Sequence, residues 1–458
     1  MLFPFSLFVP QMEVPVMKNS SGLGARGWFC LVFFGLIGQI AWVVENMYFA
    51  TFCQDIFGNS GRADLSYIVT TLMVILSAIT ATVTTIIAGA KCDRIGKRKP
   101  FIAWGYIIWG FTIMIFALLP MRAGPGSLFL VGALLVIFDC IMTVAGSTSN
   151  DAAFNAWVAD NTDPSNRGKA NAVLSMLPVF AVIVVFIGLG SFYSSTNESN
   201  SLFFIILGCI PTAAGFIALF ALKDAKTVVK NDNGGSAGDT FFGFRREVIK
   251  ENRMMYVCLA AFCIISISQQ TFFSYLMNFV IKTLGYGDAF VIPVAVIILG
   301  AAVFTAICGV LYDRFGRKSF YFPLLIIMIA GTLSFYLLKG LDGSARGIVL
   351  YVGGVLMMGA ILSLTGALQS AFQDYIPRGY EGRFQGVRMC FMVMVPMIIG
   401  PIISMIIGLD AMGMNGEDFM PTYSIFLAAA VVAVFAAIPL WFVMKDDPRL
   451  RSSLRTNE

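Results

Sequence analysis

The 458-residue chain is 58% hydrophobic and only 12% charged, with a formal net charge of +5, whereas soluble domains carry roughly 25% charged residues. Apolar runs of the roughly 20 residues that cross a bilayer recur from end to end, which excludes a soluble enzyme and points to an all-α membrane protein. Nine cysteines stand singly and histidine is absent, so no metal and no cofactor is expected, and any proton coupling must use carboxylates.

Residues 1–27 read as an N-terminal tail. Pro4, Pro10 and Pro15 interrupt its apolar stretch, and it lacks a basic n-region and a small-residue cleavage site, so it does not read as a signal peptide. Met17 could equally be the start, since Lys18 to Arg26 then forms a short basic tail; Met12 is a further in-frame methionine. Apolar runs then predict helices at 28–54, 64–90, 100–119, 127–157, 172–194 and 202–222, which make an N-terminal six-helix bundle over 28–222. Residues 223–254 are polar and basic, contain the run NDNGGSAG, and read as a central loop. A second set at 255–281, 290–312, 319–338, 346–373, 386–409 and 421–444 makes a C-terminal bundle over 255–444, followed by a tail at 445–458. All but five of the 31 Lys and Arg residues (Arg62, Arg122, Lys282, Lys339 and Arg346) fall on the side of the termini. The positive-inside rule then makes both termini cytoplasmic in a multi-pass protein of the plasma membrane.

The loop after the second helix, Gly89-Ala-Lys-Cys-Asp93-Arg94-Ile-Gly96-Lys-Arg98-Lys-Pro100, recurs after the eighth as Gly309-Val-Leu-Tyr-Asp313-Arg314-Phe-Gly316-Arg317-Lys318, displaced by 220 residues. A second echo pairs Asp160-Asn-Thr-Asp-Pro164 before Arg167-Gly168 with Asp374-Tyr-Ile-Pro377 before Gly382-Arg383. Two loop types repeated in the same order indicate a duplicated six-helix unit, whose halves enclose a solute path. One copy alone would be a tight basic turn. In the repeated loops the glycines permit close helix approach and a sharp turn, the aspartate can cap a neighbouring helix, and the arginine can pair with a carboxylate on an adjoining helix end. The set is expected to gate the cytoplasmic side rather than touch solute.

These residues resemble the signature loop of the major facilitator superfamily, which implies twelve transmembrane helices in two six-helix bundles. Within it, Asp93-Arg94-Ile-Gly96-Lys-Arg98-Lys-Pro100-Phe101-Ile102 is similar to the glycoside-pentoside-hexuronide:cation symporters and the related sucrose transporters. The stretch Asp151-Ala-Ala-Phe154-Asn-Ala-Trp157-Val-Ala-Asp160 resembles the end of that branch's fourth helix. There the melibiose permease carries an aspartate three residues before a sugar-contacting aromatic, an arrangement that Asp151 and Phe154 match. Its second helix also holds two cation-binding aspartates. The matching stretch here, Ser77-Ala-Ile-Thr80-Ala-Thr82-Val-Thr84-Thr85, has none, so a proton is favoured over sodium as the coupling cation.

The resemblance further implies that helices 1, 4, 7 and 10 line the cavity, and these are the polar ones: Gln39, Trp42, Glu45 and Asn46; Asp139, Thr143, Ser147, Asn150, Asp151 and Asn155; Gln269, Gln270, Tyr275 and Asn278; Ser363, Thr365, Gln369 and Gln373. Carboxylates at membrane depth cost several kcal/mol and are functional by default. Asp151, Glu45 and Asp139 are therefore the proton-coupling candidates, although Asp139 could merely bond a neighbouring helix. A sugar needs groups that donate and accept beside an aromatic platform. Asp151, Asn155, Asn46, Gln269 and Gln270, with Trp42, Phe154 or Tyr275, supply both. Arg388 reads as the last residue of a basic loop, with a counter-charge to a cavity carboxylate as the other reading. The expected partners are a sugar or glycoside, a coupling cation and membrane lipid, with no nucleic acid, for a monomer. A carrier of an amphiphile such as a lysolipid or drug, a facilitator without ion coupling, or a non-transporting sensor are the competing readings.

Overall fold

The computed structural model describes residues 23–162, 167–194, 200–224, 242–376, 384–415 and 420–445. The first half contains α1 (Ala25–Asn59), α2 (Ala63–Cys92), α3 (Lys99–Leu118) and α4 (Leu128–Asn161). It continues with α5 (Arg167–Ile183) and α6 (Ser201–Ala221). After a short helix at Arg246–Glu251 come α7 (Arg253–Thr283), α8 (Val291–Tyr312), α9 (Arg317–Gly340), α10 (Gly343–Tyr375), α11 (Gly386–Ala411) and α12 (Ser424–Lys445). Among the described residues, eleven of the twelve are long and apolar enough to cross a bilayer, and α5 carries the shorter apolar stretch Met176–Phe186. The chain is an all-α membrane protein, with no strand among the described residues.

Exposed aliphatic and aromatic side chains such as Ile87, Phe129, Phe220, Ile292, Val310, Ile326 and Ile438 cover the outside, as helices apolar all round require when lipid replaces water. Lipid tails are as apolar as leucine, so helix packing relies on close backbone approach at small residues. The α3–α6 contact shows this: a Cβ on Gly110 would strike Thr212 and the Gly208 carbonyl, and one on Gly208 would strike the Gly110 carbonyl. In the first half α1 packs on α5, α2 on α4 and α3 on α6; in the second, α10 packs on α8 and α9, and α7 on α11 and α12. The halves meet where α2 touches α11, α5 touches α8 and the end of α1 touches α7.

Among the described residues, five of these helices contain or run on into a π-helical segment: Val44–Phe49 in α1, Ser147–Phe154 in α4, Val184–Leu189 continuing α5, Phe279–Thr283 in α7 and Cys390–Met394 in α11. α1 also runs past the expected end at residue 54, which carries Asp55 into a buried helical turn.

The repeated loops correct one expectation and refine another. Gly96 (φ 68°) and Gly316 (φ 81°) hold left-handed backbone and make the sharp turns. Gly89 and Gly309 do not serve close approach, because a Cβ at either would meet open space. Arg98 is buried, its Nε 2.9 Å from Asp160 Oδ2, while its backbone N–H and that of Lys99 both donate to Asp224 Oδ1 at 2.8 Å. Arg317 pairs with Asp374 in the second half. Both pairs stay inside one half, so they brace each bundle and do not tie the halves together. Arg94 and Arg314 are exposed, Arg314 lying over the Phe315 ring. The side chains of Asp93 and Asp313 lie outside the described residues.

Candidate functional site

A cavity of about 190 Å³ opens inside the first half. α1 contributes Gly35, Gln39 and Trp42, α4 contributes Asn150, Asp151, Phe154 and Asn155, and α5 closes it with Leu174 and Leu177. The α1 residues recur every three or four positions, the spacing of one helix face. Asn150 Nδ2 donates to Asp151 Oδ1 at 3.2 Å. The Tyr106 hydroxyl, 2.8 Å from the Phe34 carbonyl and 3.3 Å from Asn150 Oδ1, holds that amide in place from α3. Trp42 meets Trp109 edge to face at 5.6 Å, and Phe154 stacks on Trp157 at 6.1 Å, so both aromatic walls are backed by a second ring. Trp42 and Ser147 also face the Asp151 carboxylate. Asn155 Nδ2 donates to the Asp151 carbonyl at 3.0 Å and is exposed to the opening.

Deeper in the same half, Glu45 of α1 and Asp139 of α4 are both buried and face one another. Ser77 Oγ of α2 donates to Glu45 Oε1 at 3.0 Å and lies 2.8 Å from Thr143 Oγ1, which is itself 3.1 Å from Glu45 Oε1. Thr143 also donates to the Asp139 carbonyl at 2.8 Å. Glu45 Oε2 and Asp139 Oδ1 are buried without a hydrogen bond, and no Lys or Arg forms an ion pair with either among the described residues. The two hydroxyls thus converge on one oxygen of Glu45, Thr143 sharing its proton with the Asp139 main-chain carbonyl, an arrangement short of donors for two buried carboxylates. A proton or another small cation would supply what is missing.

The other expected residues lie elsewhere. Asn46 turns back onto its own helix, its Nδ2 donating to the Trp42 carbonyl at 2.8 Å. Gln269 and Gln270 are half-buried on α7 and do not line the cavity; the Gln270 backbone and Cβ sit against Gly400 of α11. Tyr275 is fully buried, its ring 5.3 Å from Tyr67 of α2, so it packs the seam between halves instead of forming a platform. The structure thus gathers Trp42, Asp151, Phe154 and Asn155 and leaves Asn46, Gln269, Gln270 and Tyr275 outside. Gln39 and Asn150, expected among the polar residues of the lining helices, stand with them, and the α5 leucines are the addition. Arg388 lies half-buried near the start of α11, on the side of the second half, and its charge and that of Asp151 favour one another, which keeps the counter-charge reading beside the basic-loop one.

The sequence matches the Major Facilitator Superfamily over residues 27–401. The chain belongs to that superfamily. It is a multi-pass membrane protein with a transporter fold. Solved structures of similar fold include a D-xylose-proton symporter (TM-score 0.69, 14% identity, covering 90% of this chain and 97% of that one). They also include the nucleoside transporter NupG (0.67, 14%, 91% and 99%) and a bacterial homolog of the human lysosomal transporter Spinster in an inward-facing conformation (0.66, 16%, 93% and 98%). No curated protein sequence matches the chain.

Proposed function

We propose that the protein is a secondary transporter of the glycoside-pentoside-hexuronide:cation branch that moves a sugar or glycoside by alternating access, in symport with a proton. The observation that carries this reading is the cavity in which Asp151, Asn150 and Asn155 stand beside the Trp42 and Phe154 rings. Carboxylate and amide groups exchange hydrogen bonds with hydroxyls, and the rings cover an apolar sugar face. At about 190 Å³ it is smaller than the roughly 300–1,000 Å³ of sites for drug-sized ligands, which favours a small polar solute over an amphiphile. Asp151, Glu45 and Asp139 are the carboxylates able to carry the proton. The concentration of Lys and Arg in the loops at 91–99, 223–254 and 314–318 supports cytoplasmic termini in the plasma membrane.

Uptake of radiolabelled mono- and disaccharides into proteoliposomes tests this. Accumulation is expected to follow an imposed inward proton gradient and to stop when a protonophore collapses it. Uptake indifferent to the gradient, or retained in the Asp151→Asn, Glu45→Gln double variant, would overturn the proton assignment. Binding of lysolipids but of no sugar would overturn the substrate class.

A further inference from the structure

On the face opposite the basic loops, the last turns of α1 meet the end of α7. Asp55 of α1 is fully buried, and Lys282 Nζ from the π segment of α7 stands 2.8 Å from its Oδ1. Tyr193, following α5, donates from its hydroxyl to Asp55 Oδ2 at 2.9 Å. One residue before Asp55, Gln54 Nε2 donates to the Ser274 carbonyl of α7 at 2.9 Å, and Asn278 Nδ2 of α7 donates to Gln54 Oε1 at the same distance. Gln54, Asp55 and Tyr193 belong to the first half, whereas Ser274, Asn278 and Lys282 belong to the second. Three polar links therefore cross the seam at one level.

A buried ion pair contributes little net stability compared with apolar packing, yet losing one partner strands a charge. A seam held this way has two discrete states, joined or parted. By contrast, the ion pairs on the basic face, Arg98–Asp160 and Arg317–Asp374, lie within single halves. We infer that Asp55 and Lys282, supported by Gln54, Asn278 and Tyr193, are the gate on the face opposite the basic loops, closed in this structure, and that their separation admits solute from that side. This rests on the transporter reading above. When the halves part, Lys282 leaves with the second half, and Asp55 and Tyr193 meet water together.

The chain carries its own reporter. Cys53, fully buried on α1, directly precedes Gln54 and stands two residues before Asp55, at the level of the same seam. In proteoliposomes, a membrane-impermeant maleimide added from the gate side, with mass spectrometry of the Cys53 peptide, reads how often the seam opens. Asp55→Asn and Lys282→Met are each expected to raise the Cys53 labelling rate on the order of tenfold, the population shift that follows loss of a charge-assisted hydrogen bond. The charge exchange Asp55→Lys with Lys282→Asp is expected to restore the slow rate. Asn278→Ala, which removes an uncharged link, should raise labelling less and serves if the charge variants fail to fold. Unchanged labelling in folded variants, or an exchange that labels as fast as the single variants, would overturn the gate. Labelling needs no substrate, so a wrong assignment of the solute would leave this result standing.

Discussion

Asp151 concentrates the residue-scale argument. It is the cavity's carboxylate, braced by the Asn150 amide and opposed by Arg388. Asp151→Asn keeps the shape and removes the charge, so apparent solute affinity should fall roughly 10- to 100-fold, in line with about 1.5–3 kcal/mol for a hydrogen bond to a charged group. Concentration-dependent uptake measures it. Trp42→Ala should weaken binding by a comparable factor by removing the ring face, whereas Asn46→Ala should leave affinity within about twofold, since that amide serves its own helix. Asp151, Phe154, Asn155 and Trp42 were legible because they share one face or one motif on a strongly apolar background. Asp55 was not, because the expected helix ended one residue before it, and neither was the Ser77–Thr143 bridge. Hydroxyls in membrane helices ordinarily bond their own backbone four residues back, so their cross-helix use shows only once the helices are placed.

At the scale of elements, the twelve helices were readable from hydropathy, and the two repeated loops fixed their pairing in sequence. What hydropathy lacks is rotation about each helix axis. Gln269, Gln270 and Tyr275 sit on a helix expected to line the cavity, yet none of them lines it, Gln270 packing against α11 and Tyr275 against α2, while the apolar Leu174 and Leu177 of α5 close the wall. Glycine tells the same story in two registers. Gly110→Leu should abolish folded protein in gel filtration, because the α3 and α6 backbones touch there. Gly316→Ala, where a Cβ meets nothing but φ is 81°, should cost about 1–2 kcal/mol through backbone strain alone and lower the melting temperature without removing transport. Gly89→Ala should be silent in both assays.

For the whole molecule, duplication was the strongest signal in the sequence, and the transporter fold follows from it. The relation between the halves was less accessible, since the seam depends on contacts between residues about 220 positions apart such as Gln54 and Ser274. A sugar that fits the cavity should raise the melting temperature of purified protein by mass action, equivalent to about 2.7 kcal/mol at a hundred times its dissociation constant, and Asp151→Asn at the same sugar concentration should cut that to about 0.4–1.4 kcal/mol. The π segments bear on motion at this scale. They fall in α1, α4, α5, α7 and α11, which supply either the cavity wall or the contacts between halves. Each is a one-residue surplus in the hydrogen-bond register. Moving that surplus along a helix by one position turns only the residue it passes, by about 100°, and slides it about 1.5 Å, leaving the helix on either side in place. Glu45 and Asp151 both lie inside such turns, so a one-residue register slip there would re-aim either carboxylate while the bundles stay still.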